Sequence, residues 1–221
     1  KMPTTCPDST RVALSESARK QRALRGVLNG AVGVVAALAL IPFVYLLVRA
    51  SQKPVGEIAQ PIIHRLSRLT GLTIRVSIND GGHPVFVARV DAPGNIRFLT
   101  LLGSRELPHV SSAGKAMLAQ MNDGEIAQVI EQTGLPKRTK NTRTDLSALM
   151  NDIRRIRAIG YATDDEEDCD GIFCVGAAFF DHNGRCVGAV SATGIKRELS
   201  QRAVDQLGRQ VIEAAHEVTI A

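Results

Sequence analysis

The sequence predicts an α+β domain, an antiparallel sheet with helices packed on it. Three observations lead there. Short alternating runs are joined by hairpin chemistry: NDGG follows LTIRVSI, and HNG around Asn183–Gly184 joins IFCVGAAFFD to RCVGAVSATG. Segments with apolar residues at helical spacing stand before, between and after these runs. The resulting order is helix, three strands, helices, two or three strands, helix, which is not the strand–helix alternation of a parallel βαβ fold.

Taken in order, VGEIAQPIIHRLSRLTG sets Ile58, Ile62, Leu66 and Leu69 at helical spacing, and Gly71 stops the helix. LTIRVSI places Leu72, Ile74, Val76 and Ile78 on one face, as a half-buried strand. PVFVARV and NIRFLTLL read as the next two strands, with DAPGN as the turn between them. In LPHVSSAGKAMLAQM, Ser111 or Ser112 is a natural N-cap for a helix carrying Ala116, Met117 and Leu118. DGEIAQVIEQ gives a second amphipathic helix. DLSALMNDIRRIRAIG gives a third, with Leu146, Leu149, Ile153 and Ile156 on its apolar face. Two late strands follow, then a terminal helix presenting Val204, Leu207, Val211 and Ala215.

Composition limits the function classes. With 44% hydrophobic and 22% charged residues the chain is globular in character, and without Trp its core must be built from Val, Ile, Leu and Ala. Four cysteines (Cys6, Cys169, Cys174, Cys186) form no CxxC pair and no disulfide framework, so reduced thiols in a cytosolic protein are expected. Much of the net charge of +5 lies before residue 50, at Arg11, Arg19, Lys20, Arg22, Arg25 and Arg49. That asymmetry suits nucleic acid, an anionic membrane surface or a solvated basic tail.

The first 50 residues stand apart from the 51–221 domain. Val27 to Val48 runs 22 residues without a charge, long enough at about 1.5 Å per residue to cross a hydrocarbon core of about 30 Å. A membrane span or membrane-associated segment, which would make the chain a membrane-tethered ligand sensor without direct DNA binding, a buried or linker helix, and an aberrant remnant of a truncated or frame-shifted gene are all open readings.

The chemistry concentrates in GYATDDEEDCDGIFCVGAAFFD. Six acids fall between Asp164 and Asp170, directly before a strand of small residues that begins near Cys174. Alternation puts Cys174, Gly176 and Ala178 on one face, and Ala189, Ser191 and Thr193 on one face of the partner strand. If the two faces coincide, they line a shallow concavity with polar handles where a packed core would want bulk. Helix approach on small residues is the alternative. In SSAGK, the N–H groups of Ala113, Gly114 and Lys115 offer an anion site at a helix start, or an ordinary capped helix. A zinc site from Asp164, Cys169, Cys174 and His182 has no standard spacing. A thiol hydrolase pairing Cys174 with His109 or His182 lacks a nucleophile motif.

The GYATDDEEDCDGIFCVGAAFFD stretch resembles the signature region of IclR-type (isocitrate lyase regulator) transcription factors, and the likeness extends to LPHVSSAGKAMLA, AVSATG and EAAHEVTIA. It covers about residues 52–221, the effector-binding domain of that family. The resemblance implies a GAF-like antiparallel sheet flanked by helices, no enzyme activity, no cofactor, and a homodimer or tetramer. It also implies a small organic acid or aromatic catabolite as effector, held between the sheet and the SSAGK helix. Carried over by motif position, Ser112 and Ala113 meet the ligand's carboxylate through backbone N–H groups. Asp164, Cys174, Ser191 and Thr193 line the polar side, with Ile172 and a leucine within 99–102 on the apolar side. Asp164 points inward, and the acids from 165 to 170 stay mostly solvated. Ser112 stands where family members that bind very small acids often have Gly, and Thr193 where Ser is common; both changes reduce space. The winged helix that binds DNA in the family is not recognisable in 1–50, so DNA binding is expected only where that domain is supplied elsewhere.

Overall fold

The computed structural model describes residues 54–220, apart from residues 96, 99–100 and 197–199. The N-terminal arm and the apolar run at 27–48 lie outside the described residues, so the expected division at residue 50 does too. Among the described residues no helix is long and apolar enough to cross a membrane.

Helix α1 (Val55–Thr70) leads through Gly71 into the hairpin β1 (Thr73–Asp80) and β2 (His83–Val90). Helices α2 (Ser112–Leu118), α3 (Asp123–Thr133) and α4 (Leu146–Ile159) follow. The chain then returns as β3 (Ala162–Asp165), β4 (Ile172–Phe180) and β5 (Cys186–Ile195), and α5 (Gln201–Ile220) ends it. The five strands form one antiparallel sheet in the order β2-β1-β5-β4-β3. This is the α+β arrangement of strands and helices that the sequence predicts.

Strand alternation sorts the two cores. Ile74, Val76, Val175, Ala177, Val190 and Ala192 point to one face and pack with Ala59, Ile63 and Leu66 of α1 and Val211 and Ala215 of α5. Ala162 and Ala189 point to the other, under Ala116, Met117 and Leu118 of α2, Ile126 and Ile130 of α3 and Leu149 and Ile153 of α4. On this second face α2 lies almost on the sheet. A Cβ on Gly176 of β4 would come 2.8 Å from the Ser112 carbonyl carbon, and one on Gly114 would come 2.4 Å from the Pro108 carbonyl oxygen. Both glycines are therefore steric requirements of the helix–sheet approach.

Several expectations are corrected. No strand forms at 95–102 among the described residues, because the outer edge of β2 is already occupied. Phe86 N–H donates to Ser104 (3.2 Å), Gly103 N–H to Phe86 (2.8 Å) and Glu106 N–H to Pro84 (3.0 Å). Leu69 and Leu146 leave the apolar faces assigned to them, at 65% and 40% exposed. Strand β1 is buried on both faces from Thr73 to Ser77, not half-buried, since it lies between β2 and β5 with helix α1 against Ile74 and Val76 on one side and Glu106 against Arg75 on the other. Asp164 and Asp165 belong to β3, the third of the two or three late strands expected, and the turn runs from Glu166.

Candidate functional site

The register of the three late strands and β1 composes a polar row. Asp164 pairs with Cys174, Cys174 with Thr193, and Thr193 with Thr73. The next row is Ala162, Gly176, Ser191 and Arg75. The start of α2 covers the Gly176 end of this second row. Above the first row lies a cavity of about 480 Å³. Its sheet side carries Arg75, Asp164, Cys174 and Thr193; Phe86, Phe98, Leu101, Ser104 and Glu106 close one flank, and Asp168, Cys169 and Ile172 the other.

Arg75 dominates this space. Its side chain leaves the second row and crosses the first, where a guanidinium N–H donates to Thr193 Oγ1 and Nη2 lies 3.8 Å from Cys174 Sγ. Glu106 forms an ion pair with it at 3.6 Å, and the Phe86 ring lies beneath it at 4.9 Å. The Thr193 hydroxyl donates onward to Cys174 Sγ at 3.3 Å.

The carboxyls around this cation hold their protons tightly. Burial pushes Glu106 up to about 7 despite the pull of Arg75, with Asp168 and Asp164 adding repulsion. Burial likewise raises Asp164 to about 6, against the Glu167 N–H that its side chain accepts at 2.8 Å. Burial pushes the Cys174 thiol far up, with Asp164 repelling the thiolate. Cys174 is therefore a neutral wall of the cavity. Iodoacetamide at neutral pH is expected to label exposed Cys169 at least ~100-fold faster than Cys174, read by peptide mass spectrometry. Rapid labelling of Cys174 would restore the thiol-enzyme reading.

Behind the cavity the acidic turn is anchored from below. Lys115 is buried in α2 and bonds both Glu167 carboxylate oxygens, at 2.5 and 2.6 Å, with Asp152 at 3.8 Å. The Thr139 and Thr142 hydroxyls donate to the Glu166 and Glu167 carbonyls at 2.6 and 2.7 Å. Glu167 is thus buried rather than solvated as expected for that turn, because a lysine on the neighbouring helix receives it. Of the two readings of SSAGK, the structure shows the ordinary capped helix. Ser111 is the N-cap and accepts from Gly114 N–H at 3.0 Å, while the Pro108 backbone fills the space beside Gly114.

Of the residues singled out from sequence, Asp164, Ile172, Cys174 and Thr193 line the cavity. Ser112, Ala113 and Ser191 are buried on the same sheet face, outside its lining. Leu101 lines it, at 75% exposed. Arg75, Glu106 and Phe86 were not anticipated. The available signal was a lone arginine in an otherwise uncharged strand, LTIRVSI. Among the described residues no three His, Cys, Asp or Glu side chains gather to hold a metal. His182 stands in the β4–β5 turn, beyond the opposite end of β4 from Cys174, and His109 turns to the Pro136 carbonyl at 3.1 Å. A larger cleft of about 590 Å³, between the end of α1 and the start of α5, has no ionisable side chain among the described residues of its lining. The smaller cavity is where polar groups converge, the mark of a ligand site.

The family model described as "Bacterial transcriptional regulator IclR C-terminal" matches residues 49–220. The HTH-type transcriptional repressor AllR of Escherichia coli K12 is 32% identical over 169 residues, 76% of this chain. The chain spans 62% of that repressor's own length. Among solved structures, the IclR of Thermotoga maritima superposes with a TM-score of 0.71 at 29% identity, over 81% of this chain and 72% of that one. The PobR inducer-binding domain from Acinetobacter, a double mutant in complex with 3-hydroxybenzoic acid, shares the fold at a TM-score of 0.65 and 23% identity. That match covers 72% of this chain and 94% of that domain.

Proposed function

The chain belongs to the IclR family of bacterial transcriptional regulators, and from that premise we propose that the cavity around Arg75 receives a small organic acid whose presence the regulator reports. The observation that carries this reading is the buried guanidinium of Arg75, opening on a cavity of about 480 Å³. A planar cation with paired N–H donors suits a carboxylate, and the volume has room for an acid the size of a substituted benzoate. The surrounding Glu106, Asp164 and Asp168 favour a guest that also donates, since an ionised carboxylate can only accept. A hydroxy acid meets both demands, and an oxo acid, whose oxygen only accepts, fits where Glu106 or Asp164 is protonated and donates to it. Thr193 and Cys174 form the polar floor in this reading and Ile172 the apolar side. Ser112, Ala113 and Ser191 form the wall behind Arg75. The regulator acts as a homodimer or tetramer, without enzyme activity, and DNA contact belongs to a winged helix rather than to this sheet domain.

A thermal-shift series with lactate, pyruvate and 3-hydroxybenzoate tests the reading. An acid that binds the folded state raises the melting temperature with the logarithm of its concentration. Thr193→Val keeps the shape but removes the hydroxyl shared by Arg75 and Cys174, and is expected to weaken the best acid roughly tenfold. Unchanged affinity in that variant would remove Thr193 from the site.

A further inference from the structure

We propose that Glu106 is a specificity-determining residue of this pocket: it holds the Arg75 guanidinium as an internal carboxylate, an incoming acid must take that place, and the acid enters together with a proton that neutralises Glu106. The inference rests on the reading of the cavity as an acid site.

The geometry supplies the competition. Glu106 pairs with Arg75 at 3.6 Å, through the Nη1 side of the guanidinium, and it faces the same cavity as Thr193 and Cys174, which lie by Nη2. A guest carboxylate that engages Arg75 from within the cavity meets Glu106 there. The segment carrying Glu106 need not move. Its backbone is tied to the edge of β2 by the Glu106 N–H to Pro84 bond, and the Ser104 carbonyl accepts from Phe86 N–H. Only the side chain has to yield, and a second partner stands near it: the Ser111 hydroxyl, at the cap of α2, lies close enough to favour the Glu106 carboxylate.

Charge makes the proton necessary. The groups facing Glu106 are Arg75 from β1, Asp164 from β3, Asp168 from the acidic turn and the Cys174 thiol from β4, with Lys115 of α2 behind Asp164. A bound acid would add a further negative charge to the three carboxylates that, among the described lining residues, share the Arg75 cation. Among them Glu106 gives up its charge most readily, because burial already holds its carboxyl at about 7 and Asp164 lower, at about 6. The guest's charge raises Glu106 further, so one proton enters with the acid between that pH and the higher value reached in the complex. The sign follows: affinity weakens as pH rises above 7. The carboxamide of the same acid cannot replace Glu106 on the guanidinium, which separates acids from their neutral analogues.

The test is calorimetric titration of lactate and benzoate into the full chain and into its Glu106→Gln and Glu106→Ala variants, at pH 7, 8 and 9 and in two buffers of different ionisation enthalpy. In the parent, affinity is expected to fall about tenfold between pH 7 and 9, with net proton uptake on binding. Both variants are expected to bind about tenfold tighter than the parent at pH 9, with little dependence on pH. Equal affinity and equal pH slope in parent and variants would overturn the role of Glu106 while leaving the acid site standing. Failure of both acids to bind any of the three proteins would overturn the acid site itself, and this inference with it.

Discussion

Lys115→Met is expected to destabilise the domain by about 3–5 kcal/mol, measured by urea denaturation at pH 7.5. The lysine side chain is only 2% exposed and its ammonium lies 2.5 Å from a Glu167 carboxylate that is itself 5% exposed. Removing the cation leaves that carboxylate buried, with Asp152 as a further negative neighbour. Burial already raises Glu167 above the usual carboxylate range, against the pull of Lys115. Without the lysine the glutamate takes up a proton more readily, so the deficit of the variant shrinks as the pH falls. The double variant Lys115→Met/Glu167→Met should regain most of the loss, because a buried ion pair replaced by apolar groups of similar size costs little. A single variant within 1 kcal/mol of the parent would mean that Glu167 finds water or Arg143 instead.

The second large effect belongs to ligand affinity. Arg75→Met is expected to cost about 2–5 kcal/mol in binding of the acid with the largest thermal shift, roughly 30- to 1000-fold in Kd. The same change should spare the fold. Glu106, left without its cation, neutralises easily because its carboxyl stands near 7, and the methionine stem keeps contact with the Phe86 ring. Arg75→Lys should fall between the two, since an ammonium keeps the charge and loses the planar fork that spans Thr193 and Glu106. Titration calorimetry of the three proteins at pH 7 reads the series. Retention of parent affinity by Arg75→Met would place the carboxylate elsewhere.

Much of the sheet was legible in the sequence, because alternation and hairpin turns report strand pairing directly. Cys174, Ser191 and Thr193 could be assigned to faces, and the register aligns those faces. The acidic turn was visible as a rim, yet the roles of its acids were not. Glu167 is sequestered by Lys115, 52 residues away, and nothing local to the turn distinguishes it from its neighbours. Arg75 was missed for a related reason. A polar residue alternating with Ile74 and Val76 looks solvated when a strand is considered alone. Only the strand order, which sets β1 between β2 and β5, turns that polar face inward. Glu106 was hidden by the expected strand at 95–102; the chain instead lays 103–106 along the edge of β2 and so brings the glutamate over the sheet. Patterning thus identified elements and faces, while partners fixed by long-range packing stayed out of reach.

The most direct measurement is a crystal structure of the full chain with 3-hydroxybenzoate, or with whichever of the three acids raises the melting temperature most. The expected density has the acid's carboxylate within hydrogen-bonding distance of the Arg75 guanidinium, above Thr193 and Cys174, with the Glu106 side chain turned toward Ser111. An acid that stabilises the protein but is seated elsewhere, leaving Arg75 paired with Glu106, would contradict the account.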